Sequence, residues 1–280
     1  VINATNNGIE LDAQNWGRDL SENATVDLGA FRIEENTIGC QDGISITMEY
    51  LGSYLTGYAD FTWDGLQIQD NIINADSDGI YADVSYLAYE NYNDSQAHFG
   101  DFLFNGNEID AMGYGMYIDG IEYLAYNMYG YANATFGDFE FNNNTINSSD
   151  DGIYFDDYYE NGYNMYDNSE AYFGDVLIND NIITAAGVNG DGIYFNEFYE
   201  IACYMSGNSS FEMGNFEIQR NLIDAQNSGI WVDYLEYLAY ENEDNSVAVF
   251  GDFLFNDNHI TSGEEGMYFE YLQELSLIHI

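Results

Sequence analysis

Short runs along the chain alternate between apolar and polar residues. Phe139 and Phe141 flank Glu140, Phe216 and Ile218 flank Glu217, Leu66 and Ile68 flank Gln67, and Ile153 and Phe155 flank Tyr154. A period of two places successive side chains on opposite faces of an extended strand, so these runs predict strands with one apolar face and not helices.

The runs recur. One asparagine falls at Asn36, Asn71, Asn107, Asn144, Asn181, Asn221 and Asn258, with spacings of 35, 36, 37, 37, 40 and 37. Two residues after each stands an isoleucine, from Ile38 and Ile73 through to Ile260, and a glycine follows at Gly43, Gly79, Gly115, Gly152, Gly192, Gly229 and Gly266. The long spacing comes from extra residues in "TAAGVNGDG", which marks that segment as a surface turn. Self-similarity at this period is the signature of a stack of identical supersecondary units. The step from Phe104 to Ile109 is odd in number, so the chain turns a corner between them and the asparagine occupies it. Asparagine tolerates turn conformations, and stacked asparagines can bond amide to amide from coil to coil. The expected fold is all-β: a parallel β-helix, or solenoid, of about seven coils of about 36 residues, with stacked Asn, Ile, aromatic and acidic ladders, forming a single domain over residues 1–274.

The pattern in "NTINSSDDGIYFD" and "NIINADSDGIYAD" resembles the repeat of right-handed parallel β-helices, the pectate-lyase-like group that includes many archaeal and bacterial extracellular surface or sheath proteins. The resemblance spans essentially the whole chain and implies the fold far more than any activity. The unit is longer than that family's ordinary coil, and the added segment, such as "EYLAYNMYGYANATF", reads as an extra strand with an outlying turn.

Fifty acids face three bases, Arg18, Arg32 and Arg220, for a formal charge of −47. Nucleic acids and anionic membranes are repelled by such a surface, and no run is long and apolar enough for membrane insertion. The hydrophobic content of 46% and the register of the aromatic residues separate the chain from a disordered acidic tail. A chain rich in Asn, Gly, Tyr and Asp and lacking lysine and proline suits an extracellular or cell-surface setting, with a halophilic cytosolic protein as the rival. Cys40 and Cys203 lie about four coils, or roughly 19 Å, apart, beyond the reach of a disulfide. The chain opens in mid-repeat, so the expectation is a fragment of a longer protein, and the final "LSLIHI" (residues 275–280) resembles an adapter-derived, non-native tail.

Outward positions carry the candidate chemistry. Beside the inward column after the glycines stand Tyr81, Tyr117, Tyr154, Tyr194, Trp231 and Tyr268, with Glu10 and Ser45 the exceptions, and two residues further on are Asp12, Asp83, Asp119, Asp156, Asp233 and Glu270, broken by Thr47 and Asn196. Stacking predicts an aromatic ladder beside an acidic one, together forming an assembly face. Carboxylates about 4.8 Å apart repel by about 0.9 kcal/mol in water and about 3.5 kcal/mol at an effective dielectric of 20, so bound cations or protonation must offset them. A second acid column, Asp42, Asp78, Asp151, Asp191 and Glu265, lies in oxygen-rich turns and supplies candidate ligands for Ca²⁺ or other cations. Sequons at Asn23, Asn93, Asn133 and Asn208 are candidate glycosylation sites in one turn column.

No nucleophile, acid pair or metal motif breaks the repeat at one place, and Arg32 and Arg220 sit about five coils apart, so the expectation is a protein that is not an enzyme. Uniform decoration points to an extracellular structural repeat protein whose partner is itself, building a filament, sheath or surface layer. An adhesin or tail-fibre-like β-helix that binds glycans through the aromatic ladder is the alternative.

Overall fold

The computed structural model describes residues 1–273, which form strands and turns with no helix among them. One coil shows the plan. The chain runs through the strand Phe102–Asn105, turns at Asn107 into Glu108–Ala111, and passes the glycine into Met116–Glu122. It then makes an excursion, returns as Asn133–Phe136 and re-enters the first position at Phe139–Glu140. Each strand pairs in parallel with its counterparts in the coils before and after it. Four long sheets result, with seven strands through Phe102–Asn105, eight through Glu108–Ala111, eight through Met116–Glu122 and seven through Asn133–Phe136, and a two-stranded sheet pairs Tyr92–Asn93 with Tyr129–Gly130 in the excursions. We call the long ones the first to fourth sheets. The chain is thus a parallel β-solenoid of about seven coils. The long segment does contain the expected extra strand, which builds the fourth sheet. Residues 275–280, read above as an adapter-like tail, lie outside the described residues.

The register is the one the repeat demands. Ile38, Ile73, Ile109, Ile146, Ile183, Ile223 and Ile260 stand opposite one another in the second sheet. Inward aromatic rings stack face to face at the strand spacing: Phe102 on Phe139 at 4.5 Å, Phe104 on Phe141 at 4.9 Å and Phe155 on Phe195 at 4.4 Å between centroids. Alternation is what allows this, since every second residue of a strand faces the core and like therefore meets like. The recurring glycine has a steric cause. A Cβ on Gly152 would lie 2.2 Å from Ile183 Cγ2 and 2.5 Å from the Gly192 carbonyl oxygen, and the same two neighbours crowd Gly79, Gly115, Gly192 and Gly229. Cys40 and Cys203 are both buried and free.

The asparagine column is saturated with hydrogen bonds. Asn144 Oδ1 accepts from the Asn107 backbone N–H (2.9 Å) and from Asn107 Nδ2 (3.1 Å). Its own Nδ2 donates to the Phe104 carbonyl (2.8 Å) and to Asn181 Oδ1 (3.1 Å). Asn107, Asn181 and Asn221 repeat this set, and all are at most 1% exposed. Both donors and both acceptor positions of each carboxamide are used, so a polar group whose burial alone would be costly is fully compensated. The "GD" before four of the first-sheet strands, and the "GN" before Phe216, do related work at the corner between the fourth and first sheets. Asp101 Oδ1 accepts the Asp138 N–H, Asp138 that of Asp175, Asp175 that of Asn215, and Asn215 that of Asp252, at 2.6–3.0 Å.

Replacing Asn144 with Ala orphans four buried partners, so we expect it to lower the unfolding free energy by at least about 3 kcal/mol in urea titrations. Asn36→Ala, at the half-buried end where no preceding asparagine donates to it, should cost under about 1 kcal/mol. Gly152→Ala should cost about 1–3 kcal/mol through overpacking, although glycine-to-alanine exchange in an open strand stabilises.

Candidate assembly face and its acids

The third sheet turns an aromatic column outward over six successive strands, after Glu10 and Ser45 at the same position in the first two. Tyr81, Tyr117, Tyr154, Tyr194, Trp231 and Tyr268 pair in register, with successive ring centroids 5.1–5.5 Å apart. Their hydroxyls are aimed at the acids. Tyr81 donates to Asp119 Oδ2 (2.5 Å), Tyr117 and Tyr154 to the two oxygens of Asp156 (2.9 Å each), and Tyr194 to Asp233 (3.3 Å). A carboxylate that accepts phenolic O–H bonds is stabilised without a cation, and the phenols beside these carboxylates are held protonated, above the usual tyrosine range, by burial and by the negative charge.

The acidic ladder is less simple than its sequence positions imply. Ile80–Ser85 has six residues where Met116–Glu122 has seven, and the register shifts between Ala82 and Asp83. Asp83 consequently faces Gly120 and not Asp119. Asp119, Asp156, Asn196 and Asp233 sit at the residue skipped by the ladder bonds, and the series that Asp83 joins continues through Gly120 to Asp157 and Glu197. The bulge brings the two acid series together. Burial, then repulsion from Asp119 and Glu49, pushes Asp83 up to about 6. Burial, then the charges of Asp157, Asp83, Asp119 and Glu160, pushes Glu122 up to about 7, and burial with Asp156, Glu197 and Asp119 pushes Asp157 up to about 6. Only two ion pairs occur among the described residues, Arg18 with Asp19 and Arg220 with Asp180, and neither reaches this face.

Within the column Asp42, Asp78, Asp151, Asp191 and Glu265, three carboxylates accept backbone amides of the following coil. Asp78 Oδ1 accepts the Tyr114 N–H (2.9 Å), Asp151 Oδ1 that of Asp191 (2.7 Å) and Asp191 Oδ1 that of Ser228 (2.6 Å). These carboxylates close turns by capping amides of the following coil. Among the described residues no three His, Cys, Asp or Glu side chains converge as a metal site requires. Asp151 is 8% exposed, and burial outweighs its amide bond to push it up to about 7.

The four sequons do not share one column. Asn93 pairs with Gly130, whereas Asn133 lies three residues beyond Gly130, half-buried within a strand and opposite Gln96 and Glu170. Asn208 is exposed and bonded to Asn168 and Asn245, and Asn23 is exposed in the first excursion. The excursions also hold a feature that the alternation did not reveal: a ridge of stacked tyrosines. Its signal was the recurring "SYLAYENY", "EYLAYNMY" and "EYLAYENE", in which tyrosines three apart fall on one face of a compact turn.

No protein-family model, curated protein or solved structure matches the chain.

The acids fix the pH response. Asp83, Glu122, Asp151, Asp157 and Glu200, the last also pushed up to about 7, keep protons in the fold that the unfolded chain has released. The folded chain binds more protons between about pH 4 and 7, so this stabilisation is complete below about pH 4 and is lost as pH rises through 6 to 7. The melting temperature followed by circular dichroism should fall from pH 5 to pH 8, and Glu122→Gln with Asp157→Asn should flatten the slope. A melting temperature that rises over that range contradicts this assignment.

Proposed function

We propose that the chain is an extracellular structural repeat protein that builds a filament, sheath or surface layer, its solenoids packing side by side through the outward faces of the third sheet. The observation that carries this reading is periodicity: the aromatic column runs through six successive strands, from Tyr81 to Tyr268, and Asp119, Asp156 and Asp233 accept its hydroxyls, where a binding pocket would differ at one place. A periodic face suits a periodic partner, and a second copy of the same chain offers the matching period. Cations in the medium neutralise the facing carboxylates when two such surfaces approach, since a formal charge of −47 otherwise opposes association. The likeness of the repeat to pectate-lyase-like surface and sheath proteins belongs to the same reading.

Electron microscopy and fibre diffraction of the purified protein, titrated with Ca²⁺ or Mg²⁺ at neutral pH, test it. Ordered fibres or sheets with a spacing near 4.8 Å along the stack are expected, and Tyr154→Ser with Tyr194→Ser should abolish them while leaving the monomer folded. Monomers that persist at every cation concentration and bind glycans on an array would replace this reading with that of an adhesin.

A further inference from the structure

The tyrosine ridge of the excursions is continuous over most of the solenoid. In one column Tyr50, Tyr86, Tyr123, Tyr159, Tyr199 and Tyr237 follow each other at 4.6, 4.7, 5.7, 5.5 and 5.2 Å between centroids. Beside it Tyr89, Tyr126, Tyr163, Tyr204 and Tyr240 follow at 5.2, 5.3, 5.0 and 6.0 Å. Rungs join the columns: Tyr86 with Tyr89 and Tyr123 with Tyr126 at 5.4 Å, and Tyr237 with Tyr240 at 5.0 Å. The Arg18 guanidinium covers the first rings, 5.1 Å from the Tyr50 centroid and 4.6 Å from that of Tyr54. Five coil steps separate Tyr50 from Tyr237, roughly 24 Å of unbroken ring contact.

Packing alone does not require this residue. The inward columns of the same coils stack Phe on Phe, and aromatic stacking is served equally by a ring without a hydroxyl. What tyrosine adds is a phenol that gives up one electron readily when its proton has somewhere to go. Acceptors stand along the ridge: Glu90 beside the Tyr89 and Tyr92 hydroxyls, Glu122 near Tyr86 and Tyr123, Glu160 beside Tyr159, and Glu200 near Tyr163 and Tyr199.

We propose that the ridge conducts one-electron oxidising equivalents along the solenoid axis. A one-electron oxidant, such as a ferryl haem or a ruthenium(III) polypyridyl, removes an electron from the phenol at one end, and its proton passes to a neighbouring carboxylate or to water. The next tyrosine then supplies one electron, and the carboxylates relay one proton, so the first phenol is restored and the phenoxyl radical has moved one coil. At the far end a one-electron donor of the thiol or hydroquinone class returns an electron and a proton to the last phenol. No bond between residues forms or breaks. This does not depend on lateral assembly, because the columns lie within one chain.

The test attaches a ruthenium polypyridyl to Ser21→Cys, an exposed site beside the first tyrosine-bearing coils, in the folded protein whose own two cysteines are buried. After flash–quench oxidation, a nitroso spin trap and peptide mass spectrometry locate the radical. Adducts on Tyr237 and Tyr240, with a yield independent of protein concentration, are expected. Tyr123→Phe with Tyr126→Phe keeps both rings and the fold, checked by an unchanged melting temperature, and should lower the far-end yield severalfold while raising that at Tyr86 and Tyr89. Adducts confined to the coils next to the label in the parent protein, or a far-end yield unchanged by the two phenylalanines, would overturn the proposal.

Discussion

A buried carboxamide has two protons to donate and two lone-pair positions to fill, and here each is met only when the next coil lies directly overhead. The column from Asn71 to Asn221 therefore dictates register for everything else. Slipping one coil by a residue would strand several buried polar groups at once, at a cost far above that of any single contact. With register held, isoleucine meets isoleucine, phenylalanine rings stack, and the glycine beside each isoleucine is the one residue that admits the neighbouring methyl group and carbonyl.

The same stacking forces acids onto acids, and the chain answers with donors and protons before any cation is needed. Phenolic hydroxyls reach Asp119, Asp156 and Asp233, backbone amides reach Asp78, Asp151 and Asp191, and the most crowded carboxyls keep their protons into the neutral range. Tyrosine thus has two roles on the third sheet, offering aromatic area outward and hydrogen bonds to the acids beside it. What remains unneutralised is the net charge of the whole surface, and this couples any association of copies to the ionic medium.

Much of the fold was legible because a stacked repeat writes the same constraint many times. The isoleucine two residues after each asparagine is invariant in position and the glycine recurs in every coil, and the asparagine and the glycine each proved to have one hydrogen-bonding or steric cause. The acid columns were less legible. Asp83 and Asp119 hold equivalent places in the text, yet one extra residue in Met116–Glu122 shifts the pairing, and period-two reading has no means of seeing a bulge. The sequons failed as a column for a related reason, since the excursions are turns whose internal register no alternation fixes. The tyrosine ridge lies in those same turns. For Asp78, Asp151 and Asp191, composition shows oxygens and not the backbone amides they accept.

In-register stacking through the asparagine column underlies every other contact, and nuclear magnetic resonance of the side-chain amides reads it out. In ¹⁵N-labelled protein, the carboxamide protons of Asn71, Asn107, Asn144, Asn181 and Asn221 should exchange slowly with deuterium. Each should also show through-space contacts to the asparagine one repeat away, 37 residues on in the case of Asn107 and Asn144. Rapid exchange of these protons, with contacts running instead between neighbouring strands of antiparallel hairpins, would contradict it.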